Sequence, residues 1–364
     1  MFLASAAPLP TLLVIPTGIG CRIGGFAGDG LPAARLLAAA SGCLISHPNV
    51  LNGAALYWSD SRFHYVEGWA LNRFARGELA LAPVRRQRVG LLLDAGIEPD
   101  LLLRHLQVAD ACRATLGLSI GPVVITDQPV EVALTRGGSG ASWGQLGHPE
   151  TLLRGAERLC REGATAIAVV TRFPDEAGSE ALQAYRQGSG VDALAGAEAV
   201  ISHLLGWRLG LPCAHAPALA PLPPEPELDP RAAAEELAHT FLACVLVGLS
   251  RAPNLIRLGS AFAAAAAPVD SADLLHPSRI GAVVAPAGAL GGEAVLSCAE
   301  RGIPLIVVEG NPSLLSVTAE ALGLEALAVA SYAEAAGLVL ALREGLAPES
   351  LSRPLVPLRP LEAG

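Results

Sequence analysis

Short apolar runs, rich in branched residues, recur along the chain, and each ends in a polar or glycine-rich turn. Runs over 12–15, 43–46, 89–94, 122–126, 166–171, 199–203, 212–215, 244–249, 280–285, 304–308 and 326–330 predict strands. Between them, stretches with helical spacing predict helices after residue 30 and over 99–116, 149–162, 231–240, 259–267, 314–322 and 333–343. Strands alternating with helices imply βαβ units. Strand bodies that are apolar throughout suit parallel sheets buried on both faces. The predicted class is α/β, with mostly parallel sheets covered by helices in Rossmann-like halves.

Residues 11–52 organise this pattern as strand, glycine-rich loop, helix and strand. Gly18, Gly20, Gly24 and Gly25 fall where the first strand ends and a helix is about to start. Glycine allows positive φ and close approach of a ligand to the main chain. Free N–H groups in such a turn suit a phosphate or carboxylate. The spacing departs from G-x-G-x-x-G, because Ile23 stands at the third glycine, and no lysine supplies a P-loop. A tight turn that packs helix on sheet would use the same glycines. Residues 136–144 form a second glycine-rich loop with Gly138, Ser139 and Gly140. An echo of the first unit follows later: a Pro-x-Gly turn at Gly288, a Gly-Gly step at 291–292, and Asn311 where the first unit has Asn49. A degenerate repeat and convergent turn chemistry both explain it.

Residues 216–230 hold six prolines and read as a stiff connection. It separates an N-terminal α/β domain over 1–220, with both glycine-rich loops, from a smaller C-terminal one over 231–364. Six of the fifteen aromatic residues crowd into 57–74. They suit a satellite core, a lid, or a contact between copies of the chain.

Composition narrows the classes. Net charge is −9, every basic residue is arginine, and no basic stripe with interleaved aromatics suggests nucleic acid. Mean hydropathy is high at +0.45, yet no apolar run approaches the ~20 residues of a membrane span. The apolar start lacks a positive n-region and reads as a first strand rather than a signal peptide. Seven dispersed cysteines without a C-x-x-C pair point to a reducing cytoplasm.

The segments IPTGIG and IGGFAGDG within 15–30, ISHPNVLNGA at 45–54, ISHLL at 201–205, AHAPAL at 214–219 and LVGLSRAPN at 246–254 together give a resemblance. The chain resembles an uncharacterised α/β family found mainly in cyanobacteria and other phototrophs, whose domain has no assigned function. The resemblance spans nearly the whole chain and implies no activity.

Chemistry is therefore sought at the carboxyl ends of the strands, where open α/β sheets bind ligands. The predicted strands deliver His47, His203 and His215 there, the candidates for proton transfer near neutral pH. Singly, each also suits a hydrogen-bonded structural role. Their wide separation gives no metal-ligand motif. Arg172 and Arg251 end apolar runs and suit a carboxylate or phosphate, or surface ion pairs. Asp29 and Asp192 suit helix caps or partners for a histidine. These residues predict an enzyme, a hydrolase, lyase or isomerase, acting on a small anionic metabolite in an interdomain cleft. Gly18, Gly20, Gly24, Gly25, Asn49, Gly138, Ser139, Gly140, Arg172, Arg251, Gly288 and Asn311 would hold the ligand. A non-catalytic nucleotide or metabolite sensor is the alternative. No cofactor is indicated, and neither nucleic acid nor membrane is an expected partner.

Overall fold

The computed structural model describes residues 7–53, 60–175, 178–239, 241–259 and 274–360. Its strands are β1 (Thr11–Leu13), β2 (Leu44–Ser46), β3 (Phe63–Tyr65), β4 (Leu79–Ala82), β5 (Val89–Leu93), β6 (Ile120–Ile125), β7 (Val132–Arg136), β8 (Ser142–Leu146), β9 (Ala166–Arg172), β10 (Cys213–Ala218), β11 (Asn254–Arg257), β12 (Ala282–Pro286), β13 (Leu305–Val308) and β14 (Leu327–Val329). Two parallel sheets carry the architecture. The larger has six strands in the order β3-β2-β1-β12-β13-β14, and the smaller four in the order β10-β9-β5-β6. Two antiparallel pairs, β4 with β11 and β7 with β8, complete the set among the described residues.

The larger sheet grows outward in both directions from β1 and β12. This is the doubly wound order of dinucleotide-binding sheets, with its switch point between those two strands. The sheet is buried on both faces. Leu13, Leu44, Val284 and Ile306 enter one core, while Leu12, Ile45, Val283 and Val307 enter the other, as a period of two requires. The first of these cores continues into Leu91, Leu93, Ala168 and Val170 of the smaller sheet, so one apolar layer joins the two sheets. The far face of the smaller sheet is covered by the helices Pro149–Arg161 and Ala195–Leu209.

The boundary expected at 216–230 does not separate the sheets. Strands β12–β14 of the later segment join β1–β3 of the first, and the smaller sheet is inserted between them in sequence. Residues 216–218 belong to β10.

Four elements also differ from expectation. Residues 199–203 lie in the helix Ala195–Leu209, and 244–249 in the helix Leu242–Leu249. Short apolar runs do not distinguish a buried helix from a buried strand. The second glycine-rich loop is narrower, because 136–144 spans the tip of the β7–β8 hairpin. The helix expected over 314–322 shrinks to Ala319–Leu322, started by the Thr318 side chain accepting the Ala321 N–H. The expected helix over 259–267 falls largely outside the described residues. Tyr57 and Trp58 of the aromatic segment lie outside them too, while Tyr65 and Phe74 are buried.

Among the described residues no single helix is long and apolar enough to cross a membrane.

Candidate functional site

The first glycine-rich loop shows what its backbone amides are doing. Asp29 turns its carboxylate back into the loop and accepts the N–H groups of Gly24 and Phe26. The Ile23 N–H goes to Asn311 Oδ1 at 2.8 Å, and the Ala27 N–H goes to the Glu235 carboxylate. Asn49 Nδ2 donates to the Gly24 carbonyl at 2.8 Å, and Asn311 Nδ2 donates to that of Ile23 at 2.9 Å. The two asparagines of the sequence echo therefore both brace the first loop. Much of the nest expected to hold an external anion is occupied by the chain's own carboxylates. The switch point beside it is covered as well. The Leu314 N–H bonds the Ile19 carbonyl, the Arg22 N–H bonds the Pro312 carbonyl, and the Ser142 N–H bonds the Gly18 carbonyl.

The smaller sheet closes its own switch point in the same way. Asp94, buried at the end of β5, accepts N–H groups from Gly96, Val130 and Arg172 at 2.9–3.0 Å. The Arg172 guanidinium is engaged by Glu98 and Asp175.

The open space lies instead between the sheets, where the carboxyl ends of β1, β2 and β3 face β10 and the helix Ala195–Leu209. A cavity of about 110 Å³ is lined there by Thr17, His47, Glu67, Asp192, Glu198 and His215, among others. His47 stands at the start of the short helix Pro48–Leu51, directly after β2, and its Nε2 accepts the Ile15 N–H at 3.2 Å. That bond leaves the ring proton on Nδ1. Burial first, with a smaller contribution from His203, pushes His47 down to about 4, so it is neutral at pH 7.

His215 enters from β10 and is 5% exposed. Its Nε2 lies 2.7 Å from Thr171 Oγ1 on β9. Its Nδ1 has no hydrogen-bond partner, and Glu198 Oε2 stands 3.5 Å away. A buried ring nitrogen in that state is uncommon and calls for a partner. Ala195, Glu198, Ala199 and Ser202 all reach the cavity because spacings of three and four share a helix face.

Glu67 begins the helix Gly68–Ala75, accepting the Trp69 N–H at 2.9 Å. Its carboxylate also meets His203 Nε2 at 3.0 Å and Ser202 Oγ at 3.3 Å. For His203, burial opposes the charged form, but the bond and charge of Glu67 outweigh it and the net shift is upward. His203 thus stands behind Glu67 rather than in the cavity wall. Asp192 is raised by burial and by Glu198. Glu235 is raised by burial and by Asp192, and Tyr185 Oη donates to it at 2.6 Å.

Of the residues expected to hold a ligand, Asn49 alone lines this cavity, beside His47 and His215 of the expected catalytic set. Gly138 and Ser139 are exposed near the hairpin tip, with Gly140 beside Leu314, and Arg251 is exposed beyond the helix Leu242–Leu249. Gly288 abuts the Leu315 carbonyl, and Asn311 is buried. Among the described residues no arginine lines the cavity, so the cationic grip expected for an anion does not stand beside the histidines. Glu67, Glu198, Glu235 and Thr171 are absent from the sequence-based set. A single carboxylate in an otherwise apolar stretch, as in AGAEAVISHLL, is the signal that marks Glu198. Among the described residues, no three His, Cys, Asp or Glu side chains stand close enough to hold one metal ion.

The motifs that brace the loop and line the cavity extend over most of the chain, and so does a family match. The model of a family described as a protein of unknown function, DUF3326, matches residues 10–352. The chain belongs to this family. A relative named an uncharacterized lipoprotein, from Synechococcus sp., is 51% identical over 344 residues, covering 94% of this chain and 93% of its own length. No solved structure matches this DUF3326 chain.

Proposed function

We propose that the cavity between the sheets is the active site of an enzyme that moves protons on a small metabolite, in a lyase-, isomerase- or hydrolase-type reaction. The observation that carries this reading is His215 Nδ1, buried without a hydrogen-bond partner in a cavity wall it shares with His47. His47, held neutral, donates from Nδ1 and polarises a ligand oxygen. A neutral imidazole suits that role because it gives a hydrogen bond without giving up a full proton. His215, oriented by Thr171 and facing the Glu198 carboxylate, takes and returns the proton. Glu67 and His203 form a supporting pair that fixes the adjoining wall.

The ligand's reacting end is uncharged or cationic. Glu198 faces it, and the lining offers no arginine to offset an anion. The expectation of an anionic metabolite rested on the two glycine-rich loops with Arg172 or Arg251; Arg172 is paired with Glu98 and Asp175, several amides of the first loop bond within the protein, and neither arginine lines the cavity.

We place this activity in the cytoplasm, supported by seven free cysteines, six of them buried. The lipoprotein name belongs to the relative.

A thermal-shift panel tests the site. Amino and hydroxy compounds should raise the melting temperature of the protein, and phosphorylated compounds should not, since a ligand stabilises by RT ln(1 + [L]/Kd). His215→Gln should abolish the shift while melting near the parent temperature. A shift that survives in His215→Gln, or one given by phosphate esters alone, rejects the assignment.

A further inference from the structure

We infer that the ligand of this cavity is amphiphilic, with an apolar group seated in a second chamber that adjoins the first. This rests on reading the first cavity as the ligand site. The second chamber, of about 130 Å³, shares Asp192, Glu235 and Phe241 with the first as common wall. Its remaining surface is mostly aliphatic, contributed by Ala181 and Leu182 of the helix Glu180–Arg186, by Leu194, and by Leu219 and Leu222 of the proline-rich stretch. That stretch, which in sequence reads only as a connection, therefore builds a chamber wall. Prolines suit such a wall, because they hold an irregular backbone in place without needing donors of their own.

The two chambers ask for opposite chemistry. In the first, His215 Nδ1 is left without a partner and Glu198 stands 3.5 Å from it, so the occupant there must be polar. In the second, each acidic side chain of the wall already has a partner within the protein. Glu236 is paired with Arg186 at 2.7 Å, Asp175 with Arg172, Glu235 accepts from Tyr185, and Asp192 accepts from Leu194 N–H at 2.9 Å. An occupant there gains from burying apolar surface and gains nothing from a polar group. On this inference the ligand extends past Asp192, Glu235 and Phe241, with a donor or cationic head beside Glu198 and His215 and an aliphatic or ring tail beside Leu182 and Leu222.

Straight-chain primary amines, from ethylamine to octylamine, test this by calorimetric titration of the full chain, with the n-alkanoates of equal length as the opposite-charge series. Affinity for the amines should rise about fourfold per methylene until the chamber is filled. Ala181→Phe should flatten that rise and leave ethylamine unaffected, whereas Leu182→Ala should extend it to longer chains. The opposite signs of the two variants separate occupancy from a folding defect. Affinity independent of chain length in the parent protein, or a rise unchanged in both variants, overturns the inference while leaving the first cavity as the ligand site. A normal rise with chain length that His215→Gln does not weaken puts the head group elsewhere and overturns the reading of the first cavity. Alkanoates binding more tightly than amines, or neither series binding, overturns both.

Discussion

At the scale of single residues, two partly buried ionisable groups give the protein opposing pH dependences. Asp29 is pushed up from its ordinary 3.8 to about 6, by burial first, although Gly24 and Phe26 N–H groups and Arg231 oppose that shift. A raised carboxyl stabilises the fold fully below 3.8, and this contribution is lost as pH rises through about 6. His47 is pushed down from 6.5 to about 4, so its contribution is present above 6.5 and lost as pH falls through about 4. Melting curves of Asp29→Asn should therefore gain on the parent protein between pH 4 and 6 and run parallel above that range. Melting curves of His47→Gln should gain on it as the solution is acidified from 6.5 towards 4. Parallel curves in either window would contradict the burial assigned to that group. Asp29 also explains why a glycine-rich loop of this kind is a poor guide to an external anion. A carboxylate five residues beyond Gly24, invisible to a spacing rule, supplies the negative charge from within.

At the scale of elements, the loop is braced from within and the helix Ala195–Leu209 supplies one wall of the cavity. Gly18 adopts φ +71°, and a Cβ there would collide with Ser142 Oγ, the acceptor of the Gly196 N–H at 3.1 Å. Gly18→Ala should destabilise by about 1–3 kcal/mol through a strained backbone and a displaced Ser142. Gly292→Ala, where a Cβ meets nothing within 4 Å, should be close to neutral. Equal melting temperatures for the two variants would contradict the packing described. The strand–loop–helix–strand unit around Gly18 was legible in sequence, because glycine and proline punctuate it and its strands are apolar throughout. Residues 199–203 were misread because Ile201, Ser202 and His203 also suit the end of a short buried strand. The informative spacing was Ala195, Glu198, Ala199 and Ser202, a helical face that becomes visible only once the longer period is tried. His47 and His215 were legible as polar groups in or at the ends of apolar runs. Glu67 was not, since its contacts with His203 and Ser202 are set by tertiary packing and leave no local pattern, whereas Glu198 is marked only by standing alone in an apolar stretch.

At the scale of the whole molecule, both sheets have strand orders that ordinarily open a ligand crevice at a switch point, and both crevices are closed by the chain itself. Leu314, Pro312 and Ser142 cover the larger sheet's, and Asp94 spans the smaller sheet's. The cavity arises where strand ends of one sheet meet the edge strand of the other, so neither half of the sequence contains it. His47 comes from the first segment and His215 from the inserted one, and their conjunction is the central claim. It is tested most directly by incubating the protein with a mixture of small hydroxy, amino and carbonyl metabolites in heavy water and following solvent deuterium into the pool by mass spectrometry. At least one compound should gain deuterium or be converted, His47→Gln and His215→Gln should each abolish this while remaining folded, and Arg172→Gln should leave it intact. Deuterium incorporation that persists in both histidine variants, or binding of a metabolite with no exchange and no conversion, would contradict it and leave the cavity as the site of a sensor.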